Sequence, residues 1–165
     1  MSNVKHCVLI GCLCLSMGVC VASAQSKADL YAGLLKDEDS HRWVLELGGH
    51  LPITDNFFGS MSAFMFEKDD KVFSGLGAGF NAGIGDQVMP YLGLGIYAAQ
   101  HKACLYEDTP YEDCEYDVAA GIYPELGVKV HVGDFLLGAN ARYYKSFNGG
   151  ENEFGYTGVF FGIRF

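Results

Sequence analysis

The chain has 165 residues, a length typical of one domain, and a formal net charge of −9. An acidic chain lacks the basic surface that nucleic acids require, so we expect no nucleic-acid partner. Beyond the N-terminal stretch, no run is long and apolar enough for a membrane helix. If the mature protein spans a membrane, it must do so as a closed barrel.

The first 24 residues have the pattern of a secretory signal peptide. Lys5 supplies a positive start, an apolar run follows, and Ala22-Ser23-Ala24 has the small-x-small form of a cleavage site. A retained membrane anchor is the alternative, but the apolar run is shorter than the roughly 18 residues of a spanning helix. The sequence therefore predicts export, with a signal peptide over 1–24 and one domain over 25–165.

Cleavage changes the charge and the cysteine content of the chain. It removes one lysine and no acid, which leaves 10 basic and 20 acidic residues and a net charge of −10. It also removes four of the six cysteines and leaves Cys104 and Cys114. In an oxidising compartment this remaining pair predicts a disulfide bond.

The mature chain alternates between segments with a period of two and polar clusters, which predicts strands joined by turns. Gly133-Asp134 has the form of a tight hairpin turn. Segment 57–66 has no clearly apolar face, and 28–35 is short enough to be a lead-in to the first strand. Eight strands are predicted, at 28–35, 43–51, 57–66, 72–85, 91–100, 116–132, 135–147 and in the segment that ends at Phe165.

The two faces of the predicted strands indicate which solvent surrounds them. In 116–132 one face is apolar throughout, whereas the other mixes glycine and tyrosine with a few charged residues. A soluble barrel would turn a charged face to water, and segment 91–100 has no charged residue on either face. The pattern favours lipid outside and a narrow, filled interior, although a soluble periplasmic β-barrel or sandwich remains the alternative.

Charge is concentrated in four connections that alternate with less charged turns. Segments 36–42, 67–71, 102–117 and 148–153 carry net charges of −1, −1, −5 and −2. The turns between them are 52–56, 86–90 and 133–134. Short turns on one side and polar loops on the other are typical of outer-membrane barrels, as are crossing strands of about 10 residues. We therefore predict an all-β fold, an eight-stranded antiparallel up-and-down transmembrane barrel.

The end of the chain resembles a known assembly signal. In "GYTGVFFGIRF" one face ends on a phenylalanine and carries Thr157, Val159, Phe161, Ile163 and Phe165. This pattern resembles the signal that the barrel-assembly machinery reads in bacterial outer-membrane proteins. "MPYLGLGIYAA" at 89–99, entered from "GLGAGFNAGIG", is similar to a hairpin of opacity-like and OmpA-type eight-stranded barrels.

The resemblance implies a Gram-negative cell outer membrane, with lipid bilayer and lipopolysaccharide around a monomeric barrel. The last strand would close the barrel against the first. We expect a departure from the OmpA pattern, with no peptidoglycan-binding domain, because the predicted barrel extends to the last residue of the sequence.

Five charged residues fall on the faces assigned to the interior. An eight-stranded barrel has room only for its own side chains, and buried charges must pair. We expect a polar network that plugs the lumen, with a small pore as the alternative. The predicted network consists of Glu46, Glu125, Lys129, Arg142 and Arg164.

The segment between the two cysteines is the predicted outermost feature. Exposed tyrosines are enriched in recognition surfaces, so Tyr106 and Tyr111 are candidate partner contacts. The surrounding acids offer oxygens to calcium but lack an EF-hand spacing, and no cofactor or metal is predicted. The nature of any extracellular partner is left open.

A catalytic role has little support in the sequence. Some small barrels modify lipid A, and the resemblance to their deacylase would require a His-x-Ser pair, which the chain lacks. Asp39-Ser40-His41 has the residue types of a triad, but triads draw their members from separate parts of a fold. We predict a non-enzymatic protein of structural or surface-interaction type, with a lipid A-modifying enzyme as an alternative.

Overall fold

The computed structural model describes residues 27–37, 43–68, 71–104, 114–147 and 154–165. The predicted signal peptide lies outside these residues. Eight strands make up the described chain: β1 (Asp29–Asp37), β2 (Trp43–Pro52), β3 (Phe57–Lys68), β4 (Lys71–Gly83), β5 (Val88–Cys104), β6 (Cys114–Val132), β7 (Phe135–Ser146) and β8 (Phe154–Arg164).

The strands form one closed barrel in which each strand pairs with its neighbours in the chain and β1 pairs with β8. All eight pairings are antiparallel. The predicted fold class and strand count are confirmed. No helix in the described residues is long and apolar enough to cross a membrane.

The ends of several strands differ from the prediction. β5 begins at Val88 instead of 91, so the turn before it spans 84–87 rather than 86–90. The backbone ladder between β5 and β6 continues to Cys104 and Cys114, which are direct Cα partners. The predicted loop 102–117 therefore reduces to a connection over 105–113. The prediction ended the strands where charge begins, but backbone pairing can continue once the strands have left the membrane.

Two ambiguous segments have a clear structure. β1 is a full strand, paired along its length with β2 and β8, and so it is not a lead-in. β3 turns Phe58 and Phe64 inward, with serines between them, while Phe57, Met61 and Met65 face outward. The sequence leaves β3 ambiguous because small and aromatic residues lie on both of its faces, and β1 because the predicted segment is short.

The barrel is apolar outside and polar inside, the reverse of a water-soluble barrel. Outward side chains such as Leu94, Ile96 and Phe161 are more than half exposed. Within the strands, the described outward side chains include only two charged residues, Lys36 and Lys145, each one residue from the end of its strand. An outer face of this kind requires lipid around it. The chain is therefore a transmembrane barrel of the outer-membrane type.

The two ends of the barrel differ. One, which we call the turn end, has the turns 53–56, 84–87 and 133–134 together with the start of β1 and the end of β8. At the last of these turns Gly133 has φ of 63°, a left-handed conformation that glycine accommodates, and the predicted tight hairpin is confirmed. The opposite end, which we call the loop end, has the connections 38–42, 69–70, 105–113 and 148–153.

Candidate functional site

A central triad of charged side chains crosses the barrel interior. Arg142 on β7 lies beside its Cα partner Glu125 on β6, and its guanidinium reaches Glu46 on β2 from the opposite wall. Arg142 Nε is 3.0 Å from Glu125 Oε2, and Nη1 donates to Glu46 Oε1. All three side chains are at most 4% exposed.

Neutral donors complete the coordination of the two carboxylates. Tyr91 Oη and Asn140 Nδ2 donate to Glu125 Oε1 at 2.9 and 3.0 Å. Glu46 has a weaker neutral donor in the Tyr31 hydroxyl, 3.4 Å from its Oε1. Among the described contacts, Glu125 thus accepts short bonds from two neutral donors, whereas Glu46 accepts one longer bond.

A second group, which we call the turn-end cluster, surrounds Asp29 at the start of β1. Arg164 Nε donates to Asp29 Oδ1 at 3.0 Å, and Lys129 Nζ is 3.5 Å from Oδ2. His131 Nε2 lies 3.2 Å from Oδ1, and His50 Nδ1 lies 3.8 Å from Oδ2. The structure therefore divides the five predicted network residues into two groups, with Lys129 and Arg164 in the second.

Asp29 was missed by the sequence analysis. Asp29 is 4% exposed, and its carboxylate is the group around which the turn-end cluster forms. Its parity matches that of Tyr31, which also faces inward, so the alternation of β1 could have revealed it. The doubt whether 28–35 is a strand concealed this signal.

The inward-facing charges balance. Among the described residues, the interior contains three carboxylates and three fixed cations. Each carboxylate and each cation lies within ion-pair distance of an opposite charge, so none of these charges is left without a counter-ion. The charged residues are Asp29, Glu46, Glu125, Lys129, Arg142 and Arg164.

Aromatic rings fill the interior between the central triad and the loop end. Tyr144 is 5.1 Å from Tyr123 and 5.0 Å from Tyr97 between ring centroids. Tyr123 lies against Gly95, where an added Cβ would overlap its ring. Large rings opposite glycines allow a barrel of this width to be packed by its own side chains.

The predicted assembly-signal residues form one outward face of β8. Val159, Phe161, Ile163 and Phe165 are between 47% and 68% exposed, and Thr157 shares their direction. β8 pairs with β1 from Asp29–Arg164 to Asp37–Tyr156. The face is thus available to lipid, and its role in assembly stays a prediction.

Several predicted residues lie outside the described part of the chain. This applies to Tyr106, Tyr111 and the segment Asp39-Ser40-His41, and to the side chains of Cys104 and Cys114, although the backbone pairing of these cysteines is described. Within the described ranges, no group of three or more His, Cys, Asp or Glu residues could hold a metal ion.

Comparisons with known proteins identify the fold. No protein-family model matches the sequence. No curated protein matches it either. The N-terminal β-barrel domain of Pseudomonas aeruginosa OprF is similar over 86% of this chain and 98% of its own, with 14% identity and a TM-score of 0.61. Neisserial surface protein A is similar over 84% and 95%, with 16% identity and a TM-score of 0.63.

An enzyme has the same fold. The outer membrane enzyme PagL is similar over 82% of this chain and 98% of its own, with 14% identity and a TM-score of 0.52. At these identities the likeness extends to the fold alone. It places the chain among small eight-stranded outer-membrane barrels, and the function must be argued from the chain's own residues.

Proposed function

We propose that the chain is a sealed, non-enzymatic barrel of the cell outer membrane that serves a structural or surface-interaction role. In this proposal it is a monomer surrounded by lipid and lipopolysaccharide, and the barrel-assembly machinery inserts it. The observation that carries the proposal is Arg142, held between Glu46 and Glu125 from opposite walls of the interior.

The interior supports a seal because successive layers occupy it. The turn-end cluster lies at one end, the central triad follows, and the Tyr97, Tyr123 and Tyr144 rings lie toward the loop end. Opening a water path would separate buried ion pairs and displace rings that contact one another. Either change is costly, so a steady pore is not expected.

Planar-bilayer recording tests the seal. We expect no steady conductance from the reconstituted wild-type barrel. Insertion is verified in the same sample by the mobility shift of unboiled against boiled protein, so that silence does not reflect missing protein. Reproducible single-channel steps would contradict the seal and favour the small pore instead.

The β5–β6 hairpin is the proposed display element. β5 and β6 have 17 and 19 residues, against 9 to 13 for the other strands. Since about 9–11 residues cross a membrane, several residues of each strand extend beyond it. The sequence of 102–117 carries a net charge of −5, which suits a cationic partner better than an anionic one.

The backbone register supports a disulfide at the base of this display element. Cys104 and Cys114 are direct Cα partners, and such partners lie about 4.5–5.5 Å apart in antiparallel sheets. A disulfide spans Cα separations of about 4.4–6.8 Å. We infer that the bond stiffens the connection 105–113, which contains Tyr106 and Tyr111.

A membrane-impermeant thiol probe on whole cells tests both the bond and its location. Labelling is expected only after reduction and without opening the cells. Replacing both cysteines with serine should leave barrel assembly nearly intact and increase cleavage of the connection by added protease. Labelling without reduction would show free thiols, and labelling only in opened cells would show the reverse orientation.

The fold shared with the enzyme PagL calls for a direct test of lipid A modification. Mass spectrometry of lipid A from cells with and without the protein should show identical acyl chains and headgroups. Loss or gain of a chain that depends on the protein would establish the enzyme. The segment Asp39-Ser40-His41 would then be the first to substitute.

A further inference from the structure

The junction between β1 and β8 is unlike the other seven in the barrel. Every other pair of neighbouring strands is consecutive in the chain and is linked by a turn or loop. β1 and β8 are the first and last strands, so only non-covalent contacts hold this seam. It is therefore the junction at which two neighbouring strands can separate with no turn or loop to hold them together.

Asp29 lies at the turn end of this seam. Its Cα partners are Arg164 on β8, across the seam, and His50 on β2, the next strand in the chain. Its carboxylate is buried, and Arg164 Nε donates to it at 3.0 Å across the seam.

A third strand reinforces the contact. Lys129 and His131 on β6 both reach Asp29, at 3.5 and 3.2 Å, and Arg164 Nη2 lies 2.7 Å from His131 Nε2. One carboxylate of β1 thus occupies a pocket of basic side chains contributed by β6 and β8. The backbones of Ala28 and Phe165 add two hydrogen bonds at the same end, of 2.9 and 3.0 Å.

Peeling β1 away from β8 removes the carboxylate from this pocket. Lys129 and Arg164 would then face each other across the interior without their shared counter-ion, and Lys129 is almost fully buried. Uncompensated buried charge is strongly unfavourable, so the contact favours the closed barrel over the open one. The central triad also links the two sides of the seam, through Glu46 on β2 and Arg142 on β7, but none of its three residues lies on a seam strand.

We propose that Asp29 is a latch that closes the β1–β8 seam from the turn end. The carboxylate on β1 is the counter-ion for a basic pocket that Lys129 and His131 of β6 form together with Arg164 of β8. The latch acts on barrel closure and is independent of whether the interior conducts ions. It is also distinct from the outward apolar face of β8, which points to lipid.

The test measures how fast the folded barrel opens with the seam free or locked. Leu30 and Ile163 are outward Cα partners across the seam, so Leu30→Cys with Ile163→Cys provides a disulfide lock. Cys104 and Cys114, the two cysteines of the predicted mature chain, are replaced by serine so that the engineered pair is the only one present. The same protein is then compared oxidised and reduced, by the loss of the unboiled, folded electrophoretic band with time at a fixed elevated temperature.

With the seam reduced, Asp29→Asn should speed opening at least about tenfold, because it removes the buried charge while keeping the shape. With the seam oxidised, the same substitution should change the rate less than about twofold. Asp86→Asn, an exposed acid in a turn at the same end, is the matched control and should have no effect in either state.

Three results would overturn the latch. The first is a barrel with Asp29→Asn that opens as slowly as the parent when the seam is reduced. The second is faster opening of the Asp29→Asn barrel that persists when the seam is locked, which would mean that Asp29 acts through its contacts to β2 or β6 instead. If Asp29→Asn fails to assemble at all, the seam-locked form decides: assembly under oxidising conditions supports the latch, and failure there contradicts it.

Discussion

Replacing Arg142 with methionine should destabilise the barrel because it leaves two buried carboxylates without their cation. Glu46 is 1% and Glu125 is 4% exposed, so water cannot replace the lost partner. Breaking a buried ion pair by removing one partner costs about 3–5 kcal/mol. We expect a loss of this size in the free energy of unfolding, equivalent to more than about a hundredfold in the folding equilibrium.

The hydrogen bonds of the two acids predict which second substitution rescues the first. Glu125 keeps short bonds from Tyr91 and Asn140, whereas Glu46 keeps only the Tyr31 hydroxyl at 3.4 Å as a neutral donor among the described contacts. Arg142→Met with Glu46→Gln should therefore recover more stability than Arg142→Met with Glu125→Gln.

Equilibrium unfolding in urea, in lipid vesicles, measures these differences. Trp43 is the only tryptophan of the chain and lies 64% exposed on the outer face near the loop end, so its fluorescence should report the loss of the membrane environment. Asp55→Asn, in an exposed turn, should change stability by less than about 0.5 kcal/mol. A cost under about 1 kcal/mol for Arg142→Met would contradict a triad that depends on its buried cation. A better rescue by Glu125→Gln would contradict the difference between the two acids.

Three further predictions concern the outer face, the packed interior and the end of the chain. Leu94→Arg should cost about 2–4 kcal/mol in vesicles if its outward side chain lies near the membrane midplane, and unchanged stability would contradict a lipid contact there. Gly95→Val should lower the free energy of unfolding by about 1–3 kcal/mol through overlap with the Tyr123 ring, whereas Gly59→Ala, whose added Cβ would have its nearest neighbours 3.9 Å away, should be tolerated. Deleting Phe165 should reduce the assembled fraction in the outer membrane more than the loss of one exposed side chain explains, and normal levels of heat-modifiable protein would rule out an assembly role.

The face of most interior residues could be predicted from alternation alone. Period two separates Glu125, Lys129 and His131 from the apolar residues between them, and the structure turns all three inward. Alternation determines direction because successive side chains of a strand point to opposite faces. It carries no information on depth or on neighbours across the barrel.

The grouping of the interior charges could not be predicted for that reason. Arg142 and Glu46 are 96 residues apart in the chain, and their contact depends on the register and tilt of every strand between them. Asp29 and His131 are 102 residues apart, and their contact likewise depends on the register and tilt of the strands between them. The sequence thus indicated a polar interior, while the division into a central triad and a turn-end cluster required the closed barrel.

The length of the β5–β6 hairpin was underestimated for a different reason. The sequence predicts that the strands end where charged residues begin, at 100 and 116, but the backbone ladder extends to Cys104 and Cys114. Charge marks where a strand leaves lipid, and hydrogen bonding marks where it ends. In this hairpin the two boundaries differ by several residues.

Electrophoresis of the outer-membrane fraction, unboiled against boiled, tests the closed transmembrane barrel most directly. A barrel sealed by backbone pairing on all eight junctions should resist detergent, so the unboiled protein should run as a compact band whose mobility changes on heating. Recovery of the protein in the soluble periplasmic fraction, with one mobility before and after boiling, would contradict the account.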